Sequence, residues 1–160
     1  MSESIRRAAP GDTADIADMI HALAEFENAV DQCTVTEKQI SAALFGDSSI
    51  AYAHVAEVDG EVAAMALWFV NFSTWDGAGG IYLEDLFVRP RFRRRGLARG
   101  LLAALAAECV DNAYTRLSWA VLNWNADAIA LYDEIGGQPQ REWTTYRLSG
   151  PPLAELAGPR

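Results

Sequence analysis

Residues 82–100, YLEDLFVRPRFRRRGLARG, join an apolar strand to an apolar helix through a basic loop, and few folds accommodate that join. Leu83, Leu86, Phe87 and Val88 read as a strand, and Pro90 ends it. Arg89, Arg91, Arg93, Arg94, Arg95 and Arg99 follow, six of the chain's thirteen basic residues within eleven positions. Gly96 then opens the helix LARGLLAALAAECV. A strand, a short basic loop and a helix N-terminus make an anion site. The first helical N–H groups have no acceptor within the helix, and the helix dipole is positive there. A glycine at that point lets a phosphate approach the backbone closely. Arginines before a helix also fit a plain solvated face. The formal net charge is -9, so a cationic cluster here runs against the whole chain and is a local electrostatic choice.

At 160 residues the chain is expected to be a single domain, 1–160, with a core over about 5–148 and a tail over 150–160. Apolar residues make up 51% and charged residues 22%, the balance of a soluble globular protein. No apolar run reaches the ~18 residues of a membrane span. The opening MSESIRRAAPGD lacks an apolar signal core. Cys33 and Cys109 have neither metal nor disulfide spacing and read as reduced thiols. A cytoplasmic setting, no membrane and no metal are therefore expected. The acidic balance argues against nucleic acid despite the arginine cluster.

In chain order, Ile5 to Ala9 reads as a strand. Asp12 reads as an N-cap for a helix carrying Ile16, Met19, Ile20 and Leu23 at amphipathic spacing. That helix ends at Glu25, Phe26 and Glu27, and His21 falls on its solvated side. Thr36 and Gln39 have capping-box spacing for a second helix, closed by Gly46. Ile50 to Val58 and Glu61 to Phe72 read as strands around an Asp59-Gly60 turn. His54 reads as a structural strand histidine. Ser73 to Gly80, STWDGAGG, reads as a flexible hairpin loop. After the central strand and the helix from Gly96, Thr115 to Leu122 reads as a strand. Asn125 caps a helix that Gly136-Gly137 ends, and Arg141 to Leu148 reads as a last strand. The order β-α-α-β-β-β-α-β-α-β implies an α/β protein with a mixed, mostly antiparallel sheet and a parallel crossover near its centre, flanked by helices.

Arg93-x-x-Gly96-x-Ala98 resembles the R/Q-x-x-G-x-G/A motif of the GNAT superfamily of N-acetyltransferases, whose members bind acetyl-CoA. The resemblance implies the GNAT fold, with splayed parallel strands at its centre. It implies that Arg93, Arg94, Arg95, Gly96, Leu97, Ala98 and Arg99 wrap the pyrophosphate, mainly through main-chain N–H groups. Leu86, Phe87 and Val88 match the strand that holds the pantetheine arm, one of whose N–H groups serves the oxyanion. Ser118, Trp119 and Ala120 match the neighbouring strand that splays away from it. NWNADAIALYDEIGG resembles the stretch in which an asparagine starts a helix and a tyrosine faces the thioester sulfur. Asn125, Ala126, Asp127, Ala128 and Tyr132 fall on those positions.

Amine acetylation makes three demands. An alkylammonium has a pKa near ~10.4 and only the neutral amine attacks, so a proton must leave. The oxyanion needs a donor. The departing thiolate, pKa near ~8.5, is helped by a proton donor. Glu84 and Asp85 interrupt an otherwise apolar strand, where unpaired carboxylates are costly. They fit either a base and cation site or a salt bridge to the arginines nearby. Glu84 is the favoured general base, directly or through water, and Tyr132 is the acid that the resemblance implies. Pattern alone fits Tyr132 as well to a helix core.

IRRAAPGDTADIADMIHALAEFE, TVTEKQI and GGIYLEDLFV resemble the diamine (spermidine/spermine) and thialysine acetyltransferase branch, over about residues 5 to 148. There the amine is held by carboxylates at the first helix end and on the central strand. The corresponding positions are Phe26, Glu27 and Glu84, with Asp85 beside them. Polyamine users carry a further glutamate where this chain has Thr144. A thialysine, lysine-like amine or short diamine fits as well as a polyamine. The branch also implies a homodimer. Other readings on the same fold are an enzyme for protein N-termini or aminoglycosides, and a non-catalytic acyl-CoA sensor.

Overall fold

The structure is a computed structural model that describes residues 2–160. The chain divides into two compact units, Met1–Ala120 and Val121–Arg160.

In the first unit five strands form one sheet, in the order β1-β2-β3-β4-β5. β1 (Glu3–Arg7), β2 (Tyr52–Val58), β3 (Glu61–Ser73) and β4 (Ala78–Val88) pair antiparallel in succession, and β5 (Leu117–Trp119) runs parallel to β4. Three helices accompany the sheet: α1 (Thr13–Phe26), α2 (Glu37–Phe45) and α3 (Leu97–Asp111). This is the mixed, mostly antiparallel α/β architecture that the sequence implied. β3 is buried continuously from Val62 to Trp68, the pattern of a strand covered on both faces. Ile16 and Met19 of α1 and Ile40 and Leu44 of α2 pack with Val55, Met65, Leu67 and Phe87 of the sheet. α3 buries Leu97, Leu101 and Leu105 along one stripe.

Turn and cap chemistry explains most boundaries. Asp59 and Gly60 both take positive φ (50° and 82°), the two left-handed residues of a type I′ hairpin. Thr36 and Gln39 form a reciprocal capping box on α2. Asp12 precedes α1, but its carboxylate does not cap that helix. It accepts from the Ala9 N–H (2.7 Å) and pairs with both Nη atoms of Arg6 (2.7 and 3.0 Å).

Several expectations need correction. The STWDGAGG loop is only a turn over residues 74–77, because β3 runs to Ser73 and β4 starts at Ala78. Gly79 and Gly80 are strand residues. A Cβ on Gly79 would meet the Tyr114 ring at 2.8 Å, and one on Gly80 the Asn71 Oδ1 at 2.8 Å. Asp76 ties the turn down by accepting from Thr115 Oγ1 (2.7 Å) and Arg116 Nε (3.0 Å). His21 is exposed but held: Nε2 lies 2.8 Å from the Val35 carbonyl and Nδ1 3.5 Å from Cys33 Sγ. His54 is buried and accepts from the Trp68 indole N–H at Nδ1 (3.1 Å). Burial, helped by Arg7, holds its pKa below the usual histidine range.

The second unit contains α4 (Ala126–Glu134) and α5 (Pro151–Ala157). Asn125 Oδ1 caps α4 by accepting from the Ala128 N–H (3.3 Å). Gly136, at φ 92°, ends it, and the Gly137 N–H donates to the Tyr132 carbonyl (2.8 Å). The expected strand from Arg141 to Leu148 does not form. These residues are exposed and belong to no sheet, and a segment without a ladder partner has nothing to hold it as a strand. The expected tail is instead α5, opened by the prolines at its first positions and built of Ala, Leu and Glu.

Candidate active site

The candidate acids of β4 sit where its pairing is irregular. Leu67 of β3 faces Asp85, but Trp68 faces Leu83, so Glu84 is the extra residue of a β-bulge. A bulge bends the strand and re-aims side chains there. Glu84 is exposed, while Asp85 is half-buried. Burial, then the charges of Glu84 and Glu27, push the Asp85 carboxyl up to about 6. Burial also raises Glu27, the C-cap residue of α1. The structure thus brings Glu27, Glu84 and Asp85 into one field of negative charge. Asp85 has no salt bridge to the nearby arginines among the described residues.

β5 pairs with β4 only at Ile81, Tyr82 and Leu83, through Leu117, Ser118 and Trp119. From Asp85 to Val88, β4 is laddered to β3 alone. Leu86, Phe87 and Val88 therefore lie where the two parallel strands have parted, with Ala120 just past the end of β5. Backbone groups on that side of β4 are suited to hydrogen-bond an extended ligand arm.

The basic loop divides its arginines by role, which the sequence did not distinguish. Arg89 is an anchor: it donates to the Val62 carbonyl (3.0 Å) and pairs with Asp15 (2.8 Å) and Asp18 (2.6 Å) of α1. Asp15 and Asp18, three apart on one helix face, were the only hint of it. Arg91 pairs with Glu61 and lies over the Phe92 ring. Arg93 donates from Nε to the Val88 carbonyl (3.1 Å) and stands over the rings of Phe26 (5.3 Å) and Phe87 (5.6 Å). Arg95 lies over Phe92 at 5.6 Å.

Arg94 takes a left-handed φ of 62°, costly for a residue with a Cβ, and Gly96 follows at 80°. α3 begins at Leu97, so the amides of Leu97 and Ala98 have no carbonyl behind them in the helix. Nothing lies within 4 Å of where a Gly96 Cβ would be. Glycine is required there by φ, and the space before the helix is open. Loop, helix N-terminus and parted strands together fit a long phosphorylated thioester.

In the second unit, Asn125 is the N-cap of α4, Ala126, Asp127 and Ala128 form its first turn, and the half-buried Tyr132 lies in its last turns.

The sequence pattern of the acetyltransferase (GNAT) family matches residues 17–136. The chain is 35% identical over 165 residues to a thialysine N-epsilon-acetyltransferase of Bos taurus, covering 96% of each. Among solved structures it is similar to an integron cassette protein from the mobile metagenome of V. cholerae. That similarity has a TM-score of 0.82 at 25% identity and covers 99% of both chains. It also shares the fold of an aminoglycoside N-acetyltransferase solved in complex with CoA, with a TM-score of 0.74 at 17% identity, covering 92% of this chain and 95% of that one.

Proposed function

We propose an acceptor and a mechanism for this chain, which belongs to the acetyltransferase (GNAT) family and is an N-acetyltransferase: it acetylates a small cationic amine directly, in a ternary complex with acetyl-CoA. The observation that carries the reading is the shared field of Glu27, Glu84 and Asp85 beside the parted segment of β4. A carboxyl pushed up by burial and by two neighbouring carboxylates gains most from a cation. Thialysine, a short diamine and a polyamine all supply one. The likeness to thialysine acetyltransferases, and Thr144 in place of the branch's further glutamate, favour the smaller amines.

Acetyl-CoA supplies the acyl group as a thioester. The residues for its phosphates are Arg93, Arg94, Arg95, Gly96, Leu97, Ala98 and Arg99, mainly through their backbone, and the family resemblance adds Asn125, Ala126, Asp127 and Ala128 as further cofactor-binding positions. Leu86, Phe87 and Val88 hold its arm, with Ser118, Trp119 and Ala120 across the gap. Phe26, Glu27 and Asp85 position the ammonium. Glu84, exposed at the bulge, takes its proton directly or through water. Tyr132 gives a proton to the leaving sulfur. Cys109 is buried in α3, where its thiol is pushed up by burial, and Cys33 lies on the loop after α1. Neither lies in the motifs, which supports direct transfer over an acyl-cysteine route.

The protein works as a homodimer in the cytoplasm on this reading. No helix among the described residues is long and apolar enough to cross a membrane. The net charge of -9 disfavours nucleic acid.

Thiol release from acetyl-CoA across thialysine, lysine, putrescine, spermidine, spermine, a peptide and an aminoglycoside tests the proposal. Selective turnover of one small cation is expected. Turnover of only the peptide or the aminoglycoside overturns the acceptor assignment. Light scattering checks the dimer, and a monomer removes it.

A further inference from the structure

Arg93 joins the end of β4 to the end of α1 within the first unit. Its Nε–H is bonded to the Val88 carbonyl at the end of β4 (3.1 Å). Its guanidinium is over Phe87 of the same strand and over Phe26, the last residue of α1. Phe26 adjoins Glu27, one of the three carboxylates. On its other side Arg93 adjoins Arg94, whose backbone is left-handed at φ 62°. Arg93 is nonetheless an exposed residue, so the alternative to its docked position is solvent. A ligand at either site that favours this docked arrangement over a solvated one would bias it.

Resting on the function proposed above, we infer that Arg93 is a positioning residue that couples the acyl-donor site to the amine site, rather than a phosphate ligand through its side chain. A donor that orders the backbone at Arg94–Gly96 holds Arg93 docked, which fixes Phe26 and so aims Glu27. An amine that settles against Glu27 and Phe26 holds Arg93 docked from the other side. The two ligands then raise each other's affinity by the same factor. Acceptor capture is thereby favoured once the donor is present. The step is conformational and moves no covalent bond.

CoA itself, lacking an acetyl group, forms a non-reacting complex with an amine, so the coupling is measured without turnover. The CoA dissociation constant is measured by calorimetry with and without saturating thialysine, or with whichever amine of the panel is turned over. The intact protein is expected to bind CoA about tenfold tighter with the amine present. Arg93→Ala is expected to reduce that factor to about twofold or less. Arg93→Lys, which keeps the charge but not the planar face, is expected to lose most of it. Phe26→Leu removes one ring and leaves the Val88 bond, and it is expected to lose the factor too, which covers the case of an unfolded Arg93→Ala. A factor of one in the intact protein, or a wild-type factor in any folded variant, overturns the inference. Those outcomes are distinct from failure of the function reading, in which no small amine is turned over with acetyl-CoA.

Discussion

Glu84 and Asp85 are adjacent on β4 yet sit in opposite environments: Glu84 is the exposed extra residue of the bulge, while Asp85 faces Leu67 and is half-buried. Burial, and then the charges of Glu84 and Glu27, push the Asp85 carboxyl up to about 6. Two neighbouring acids in such different environments are able to take different roles.

On the proposed function, Asp85 is expected to make amine binding pH-dependent. Its ionised form attracts an ammonium and its protonated form does not. Protonation therefore competes with the substrate, and the amine KM is expected to rise by up to about tenfold per pH unit below about 6. Asp85→Asn is expected to raise the KM at neutral pH and flatten this part of the profile. An unchanged inflection in the variant would detach it from Asp85.

The same shift acts on stability with a definite sign. Folded Asp85 holds its proton above the ordinary value of 3.8, so its favourable contribution is full below that value. It is lost as pH rises through about 6, at a cost of roughly 3 kcal/mol at most. Asp85→Asn is expected to unfold at higher denaturant than the intact protein at pH 7, and to show no such advantage near pH 4. An equal midpoint at both pH values would refute this.

Much of this was legible in the sequence, and the limits have physical causes. The capping box at Thr36 and Gln39 and the Asp59-Gly60 turn are local chemistry and read directly. The strand, basic loop and Gly96 also read directly, because adjacent residues build that site. Asp12 did not: it looks like an N-cap, but Arg6, folded against it from β1, claims its carboxylate. Arg89 did not either, since its partners Asp15 and Asp18 lie more than 70 residues away. Gly79 and Gly80 read as loop because their reason is the crowding of Tyr114 and Asn71. Residues 141–148 have a strand's residue types in Trp143, Thr144, Thr145 and Tyr146, but a strand exists only with a partner. Glu84 and Asp85 were legible as misplaced charges in an apolar run. That one is extra in the register and the other buried is a property of the β3–β4 pairing alone.

Asp12 anchors the first turn of the fold. It is 6% exposed, accepts from the Ala9 N–H and takes both arms of Arg6. Arg6 lowers its pKa, so the contribution is present above the ordinary carboxylate range and is lost as pH falls through the depressed folded value. Asp12→Asn is expected to cost about 2 kcal/mol at pH 7. The gap from the intact protein should narrow in acid, as thermal melts across pH will show. A gap independent of pH would mean that packing, not charge, is what Asp12 supplies.

Glu84 separates base from counter-ion. Glu84→Gln keeps the size and a polar head but removes both the charge and the proton acceptor. It is expected to raise the amine KM several-fold and to lower kcat by about 10²-fold. The kcat loss should shrink at high pH, where more of the amine arrives neutral. Wild-type kinetics would return Glu84 to a structural part of the bulge.

Tyr132 is tested by the partition between chemistry and binding. If its hydroxyl protonates the leaving sulfur, Tyr132→Phe removes an interaction made only in the transition state. The expected result is a kcat lower by about 10²-fold or more, with acetyl-CoA affinity within about twofold of the intact protein. The loss should be smaller with an acyl donor whose thiol is more acidic, because such a thiolate departs without a proton. A variant that loses affinity and rate in parallel would make Tyr132 a donor-binding residue on α4, and unchanged turnover would leave the sulfur's proton to another group.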